Sequence, residues 1–73
     1  MEQKNTITTN INVLGGKPVI KETRVPVTLV IDELAGGLTF EELMREYELT
    51  REQINAALRY AAAALQEDIV FVA

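Results

Sequence analysis

The sequence predicts a mainly α fold: a three-helix helix-turn-helix of the homeodomain-like or winged-helix-like kind, with an N-terminal β-hairpin and a short C-terminal strand. Three observations predict it. β-Branched residues dominate positions 6–25, two capping boxes mark helix starts in the middle of the chain, and positions 69–72 form an apolar run. The 73 residues are expected to form a single domain, with a β arm at 6–25, a three-helix bundle at 26–66 and an apolar tail at 67–73.

The first element is predicted to be a β-hairpin that turns at Gly15 and Gly16. Short apolar runs lie on both sides of this pair, and glycine tolerates the positive φ that two-residue hairpin turns need. Pro18 cannot donate a hydrogen bond to a strand ladder. The second strand is therefore expected to be an edge strand, or to pair through one side only.

Three helices are predicted next. Pro26 suits a first helical turn, and Gly36 and Gly37 follow the last periodic residue of that helix. Thr39 with Glu42, and Thr50 with Gln53, then form the capping boxes of a short helix and a longer one. Apolar stripes at spacings of three and four are expected to pack together: Val27, Val30, Ile31 and Leu34; Phe40, Leu43, Met44 and Tyr47; and Ile54, Ala57, Leu58, Ala61 and Leu65.

The apolar tail contains the predicted C-terminal strand and the predicted partner-binding residues, Ile69, Val70, Phe71 and Val72. An exposed strand of this composition would invite aggregation. The strand would be covered if it paired either with the N-terminal strand of its own chain or with a second chain. The sequence leaves both open.

Composition excludes several kinds of chemistry. The chain has no cysteine and no histidine, which excludes thiol redox reactions, catalytic dyads and triads built on these residues, and ordinary structural zinc sites. The carboxylates are spread along helical patterns that are typical of solvated faces, so we expect neither an enzyme nor a cofactor. A domain this small without disulfides or metal is expected to form a homodimer or to bind a partner. No secretory signal or membrane-spanning run is recognisable, and we expect a cytoplasmic location.

The long third helix has a candidate DNA-reading face. Arg51, Asn55 and Arg59 lie four residues apart and so project from one side, opposite the apolar stripe. Arginine and asparagine suit bidentate contacts with guanine and adenine edges. The alternative interpretation is that these residues are simply the solvated side of the helix.

Charge is distributed unevenly along the chain. The whole sequence carries −4, whereas residues 1–26 carry +2, residues 27–50 carry −5 and the remainder carries −1. Lys17, Lys21 and Arg24 in the basic arm are therefore further candidates for contact with nucleic acid, and the acidic middle suits a basic partner or solvent. For Arg24 a structural role, bonding carbonyls or Asp32, is equally open.

The linked order of three motifs carries a family resemblance. They are Gly16-x-Pro18-x-Ile20, then Thr23-Arg24-Val25-Pro26-Val27, then Leu49-Thr50-x-x-x-Ile54 at the start of the last helix. With them, the stretch from Gly15 to Ala62 resembles the small bacterial and archaeal family called domain of unknown function 433. Two positions depart from its pattern. Glu22 stands where glycine is common, which suggests that this backbone does not need positive φ, and Glu48 stands where proline is common.

The resemblance implies an antitoxin of a toxin-antitoxin pair. Such a protein would bind and silence a PIN-type nuclease toxin and would bind operator DNA to repress its own operon. The alternative is a protein-protein interaction module or homodimeric scaffold without DNA binding. That alternative would use the apolar tail and the small-residue surface of the last helix, Ala61, Ala62, Ala63 and Ala64.

Overall fold

The computed structural model describes residues 6–9, 12 and 14–68. Two short strands precede three helices, and a single 3₁₀ turn at Leu14–Gly16 lies between the strands. The elements are β1 (Ile7–Thr8), β2 (Val19–Ile20), α1 (Val27–Ala35), α2 (Phe40–Tyr47) and α3 (Arg51–Asp68). The prediction of a mainly helical, three-helix fold with an antiparallel pair at its N-terminus is confirmed. The predicted C-terminal strand lies outside the described residues.

The strand pair is antiparallel, but it is not the predicted tight hairpin. Ile7 pairs with Ile20 and Thr8 with Val19, so residues 9–18 all lie between the strands. The reason is that Gly15 adopts its left-handed φ of 67° inside the 3₁₀ turn, where it bends the connection instead of closing a two-residue turn. Pro18 lies just outside the ladder, as its missing N–H requires.

The entry to α1 is held by the backbone of β2. The Pro18 carbonyl accepts a hydrogen bond from the Val27 N–H at 3.0 Å, and an isolated bridge joins Val19 to Pro26. Pro26 is the residue before the first helical turn, with an extended ψ of 150°. The contacts of Pro18 and Pro26 therefore set where α1 begins.

A turn at Glu22 corrects one expectation. The Thr23 N–H donates to the Ile20 carbonyl at 3.0 Å, and the Thr23 hydroxyl donates to the same carbonyl at 2.7 Å while accepting from the Val25 N–H. These bonds hold Glu22 at a φ of 68°, in the left-handed region. The inference that this position does not need positive φ was wrong, because the turn geometry is imposed from both sides.

The turn that follows α1 ends the helix as predicted. Gly37 has a φ of 108°, and its N–H donates to the Leu34 carbonyl while the Leu38 N–H donates to the Glu33 carbonyl. This is the Schellman arrangement, which needs a residue that accepts positive φ. It directs the chain into α2.

Both capping boxes are confirmed. In α2 the Thr39 hydroxyl accepts from the Glu42 N–H at 3.1 Å and the Glu42 carboxylate accepts from the Thr39 N–H at 2.9 Å. Thr50 and Gln53 repeat the pattern at the start of α3. The helix α3 then continues through Asp68, two residues beyond the predicted bundle end at 66. Its C-terminal half contains no glycine or proline that would stop it.

The core lies where β1, β2 and the three helices meet. Its buried apolar residues come from every element and from the turn before α3: Ile7, Ile20, Val27, Val30, Leu43, Leu49, Ile54 and Ala57. One member of the predicted stripes departs from this core, because Leu65 is 57% exposed. The 18 residues of α3 span about 27 Å at a rise of 1.5 Å per residue, about twice the length of the nine-residue α1. The end of α3 therefore projects beyond the other elements that the structure describes.

Across the described residues, no helix combines the length and the apolar character that crossing a bilayer would require.

Candidate functional site

The turn between α2 and α3 fixes the two helices relative to one another. Glu48 ends α2 in the left-handed conformation, with φ 55° and ψ 46°, and its N–H donates to the Met44 carbonyl. The Leu49 N–H donates to that carbonyl at 3.1 Å, and the Leu49 side chain is buried in the core. A buried leucine between two capped helices is a rigid connection. Residues 48–50 thus form the short turn of a helix-turn-helix.

Arg51, the first residue of α3, is held against α2. Its guanidinium donates to the Glu41 carboxylate at 3.0 Å, and its Cζ lies 5.1 Å from the centroid of the Phe40 ring. The side chains of Arg51 and Glu41 are 55% and 70% exposed. Ion pairs this exposed stabilise a fold by about 0–1 kcal/mol. Arg51 is positioned by this contact and can leave it at little cost.

The other two residues of the predicted reading face differ in exposure. Arg59 is exposed, whereas Asn55 is half-buried. Ala56, only about 100° around the helix from Asn55, is buried, and β1 packs against α3. The exposed side of the N-terminal half of α3 is therefore narrower than the sequence pattern predicted, with Arg51 and Arg59 its accessible cations.

Of the three candidate cations of the basic arm, Lys21 lines a pocket together with a residue of the first turn of α3. Lys21 and Gln53, together with Thr6 and Glu22, line a surface pocket of about 260 Å³. Lys17 and Arg24 are exposed and do not line this pocket. The basic arm is thus brought to α3 through Lys21.

Arg24 has none of the structural bonds considered for it. Among the described residues its guanidinium makes no hydrogen bond to a carbonyl and no ion pair with Asp32. Its side chain is exposed on the segment between β2 and α1. Its positive charge is available to a binding partner.

A second polar contact between helices escaped sequence analysis. The Tyr47 hydroxyl donates to the Glu33 carboxylate at 3.3 Å, linking the end of α2 to α1. Burial, the negative charge of Glu33, the hydrogen bond to it and the charge of Glu46 together raise the pKa of Tyr47 above its ordinary value of 10.0. Residues that are fourteen positions apart share no periodic signal, so the pattern gave no indication of this contact.

A further surface feature of the bundle is an apolar groove. It has a volume of about 330 Å³ and runs between α1 and the C-terminal half of α3. Two residues of the predicted alanine surface, Ala61 and Ala64, line it. Ala62 and Ala63 are exposed elsewhere on the helix. The predicted partner-binding residues Ile69, Val70, Phe71 and Val72 lie outside the described residues.

Among residues 6–9, 12 and 14–68, no group of three or more acidic side chains is arranged to hold a metal ion.

Comparison with known proteins places the chain in a family. The model of a family described as a protein of unknown function, DUF433, matches residues 7–61. This chain belongs to the DUF433 family. The match begins at β1 and ends within α3, so it contains the helix-turn-helix and the segment of the basic arm that carries Lys21. The last part of the apolar groove, at Ala64 and Leu65, lies beyond it.

One curated relative of this DUF433 chain is an uncharacterised protein, y4eO, of Sinorhizobium fredii (strain NBRC 101917 / NGR234). The two are 36% identical over 61 residues, which is 82% of this chain and 28% of the relative. The chain thus spans less than a third of the length of that protein. No solved structure matches.

Proposed function

We propose that this protein is the antitoxin of a toxin-antitoxin pair, which neutralises a PIN-type nuclease and binds operator DNA through α3. The observation that carries the DNA-binding part is the helix-turn-helix itself. An eight-residue helix, a rigid three-residue turn and a long helix place Arg51 and Arg59, both exposed, on the accessible side of α3. This is the geometry in which a second helix enters a major groove.

The charge distribution supports local contact with nucleic acid, although the chain as a whole is acidic. Lys21 lies at the pocket beside the first turn of α3, close in sequence to Arg24. A dimer would present two such basic regions. The acidic surface of α1 and α2 then remains for a basic partner, and complementary charge accelerates and orients such association.

DNA binding is tested with the region upstream of the protein's own gene, by fluorescence anisotropy at several salt concentrations. We expect Arg51→Ala and Arg59→Ala each to weaken binding by about 5-fold to about 150-fold, which corresponds to about 1–3 kcal/mol per base or phosphate contact. Arg45→Ala is the matched control, because Arg45 is an exposed arginine on α2 and carries the same charge. Equal affinity of all three variants would show that α3 does not read DNA.

The contact between Arg51 and Glu41 gives a second test. In the proposed complex the phosphate backbone competes with Glu41 for Arg51. Since the exposed pair contributes about 0–1 kcal/mol, Glu41→Gln is expected to tighten DNA binding by up to about fivefold. Glu46→Gln removes an exposed acid of the same helix without touching Arg51. A gain that is equal in both variants would indicate a general charge effect.

The antitoxin role is tested by purifying the tagged protein from its source cell and measuring the mass of the complex. We expect a nuclease of stoichiometric amount, whose activity is regained when this chain is removed and lost when it is added back. A recovered protein whose nuclease activity does not respond to this chain would refute the antitoxin role.

The apolar groove favours a second candidate, a protein-binding module without DNA affinity. The two candidates differ in salt dependence, since neutralisation of phosphates makes DNA binding fall steeply as salt rises. Absence of any salt-sensitive DNA binding would favour the second candidate.

A further inference from the structure

The groove between α1 and α3 is an uncovered part of the apolar surface. Val27 of α1 is buried at its base, whereas Tyr60 and Leu65 of α3 are 39% and 57% exposed. These are the exposed large apolar residues of the described part of the chain. Ala61 and Ala64 lie between them in the groove lining, and their small side chains leave the space that forms the groove. Apolar surface of this kind, concentrated in one concave place, is characteristic of an interaction site.

The groove exists because the two helices differ in length. α1 ends at Ala35, and the Schellman turn then leads the chain away to α2. No described residue packs over Leu65 from the far side. The cost of leaving it exposed is about 25 cal/mol for each Å² of apolar surface. A partner that covers the groove would recover that free energy.

The residues that follow α3 in the sequence are apolar, like the surface of the groove. Five uncharged residues, Ile69 to Ala73, come directly after Asp68, and none of them is glycine, proline, asparagine or serine. Glycine, proline, asparagine and serine are the residue types that favour a reversal of the chain, whereas Ile, Val and Phe favour extended strands. Reaching the groove of its own chain would require this segment to turn back by one to two helical turns within its first residues.

We propose that residues 69–73 of a second copy of this chain occupy the groove, in a reciprocal exchange between two protomers. An extended segment of five residues spans about 16 Å, which exceeds the distance of about 7.5 Å along the axis of α3 from Tyr60 to Leu65. The interface does not depend on DNA or toxin binding.

Four chains test the exchange by size exclusion with light scattering, at several concentrations. We expect the full chain to be a dimer. A chain ending at residue 68 is expected to be a folded monomer. It retains the core cluster, which ends at Ala57, and the residues packed against that cluster, which end at Ala61, but it lacks the segment that is exchanged. Ala64→Arg places a charge in the groove at an exposed position and is expected to raise the dimer Kd by at least about tenfold. Ala63→Arg, exposed outside the groove, is the matched control and stays dimeric.

A mixing experiment separates exchange from other modes. The Ala64→Arg chain retains its segment but not its groove, and the shortened chain retains its groove but not its segment. Together they are expected to form a one-to-one heterodimer with a single exchanged site. Circular dichroism melts confirm that each variant is folded.

Three outcomes would overturn the proposal. A full chain that is monomeric, and that loses thermal stability when shortened, would place the segment in its own groove. A shortened chain that remains dimeric would place the interface elsewhere. Failure of the two complementary variants to associate, while the Ala63→Arg control dimerises, would exclude exchange.

Discussion

The left-handed backbone at Glu22 gives the sharpest test of the fold. The turn is held by the Thr23 N–H and hydroxyl, which both donate to the Ile20 carbonyl, so its φ of 68° cannot relax without breaking these bonds. An L-residue other than glycine in this region costs about 1–2 kcal/mol. Glycine avoids that cost but loses about 0.5–1 kcal/mol through its greater freedom in the unfolded chain. Glu22→Gly is therefore expected to be more stable than Glu22→Ala by about 0.5–1 kcal/mol.

The comparison of glycine with alanine isolates the backbone. Both variants remove the same charge, and among the described residues the Glu22 side chain makes no hydrogen bond or ion pair. For a domain of this size the difference corresponds to about 2–8 °C in Tm, which thermal unfolding followed by circular dichroism resolves. Glu48, at a φ of 55°, is expected to show the same order of alanine and glycine.

Ala63→Gly is the control for this comparison, because at position 63 glycine is expected to be less stable than alanine. Ala63 is an exposed residue within α3, where glycine costs about 1 kcal/mol relative to alanine. If glycine at position 22 were as destabilising relative to alanine as glycine at position 63, the left-handed turn and the strain assigned to it would be refuted.

Three further predictions concern the bundle. Leu43→Ala empties a fully buried position and is expected to lower the free energy of unfolding by about 2–5 kcal/mol in urea; a loss below about 1 kcal/mol would contradict its place in the core. Thr39→Ala removes the hydroxyl that caps α2 at the Glu42 N–H, with an expected loss of about 1 kcal/mol, and an unchanged denaturation midpoint would argue against the capping box. The pKa of Tyr47 is raised in the fold by burial and by Glu33, so this tyrosine contributes stability below its ordinary pKa that is lost as pH rises through the folded value. Tyr47→Phe is thus expected to reduce the loss of stability in urea titrations from about pH 9 to about pH 11, and identical pH profiles for the two proteins would exclude this linkage.

Helix starts could be predicted because the interactions that define them are local. Thr39 reaches Glu42, and Thr50 reaches Gln53, over three residues, so the spacing in the sequence already contains the geometry. The family assignment could be predicted on the same basis, from short motifs in a fixed order. The DUF433 match over residues 7–61 confirms it.

The candidate site was only partly accessible to sequence reasoning. The four-residue spacing of Arg51, Asn55 and Arg59 predicted a common face, but not that Asn55 is half-buried. It also did not predict that Arg51 contacts Glu41. Both facts depend on how α2 and β1 pack against α3, and a single helical pattern contains no information about its neighbours.

The sequence by itself determined the number, order and capping of the helices, since each of these rests on side chains and backbone groups within a few residues of one another. Only the tertiary structure decided the register of β1 on β2, the left-handed turn at Glu22, the bond from Tyr47 to Glu33 and the exposure of Leu65. Residues distant in sequence, or the relative lengths of two packed helices, impose the strand register, the Tyr47 bond and the exposure of Leu65. The turn at Glu22 is held by nearby residues, because Thr23 bonds the Ile20 carbonyl and the Val25 N–H between β2 and the start of α1. Local preference then yields to the packing and hydrogen bonding of the whole domain, and at Glu22 a residue adopts a backbone conformation that its own chemistry disfavours.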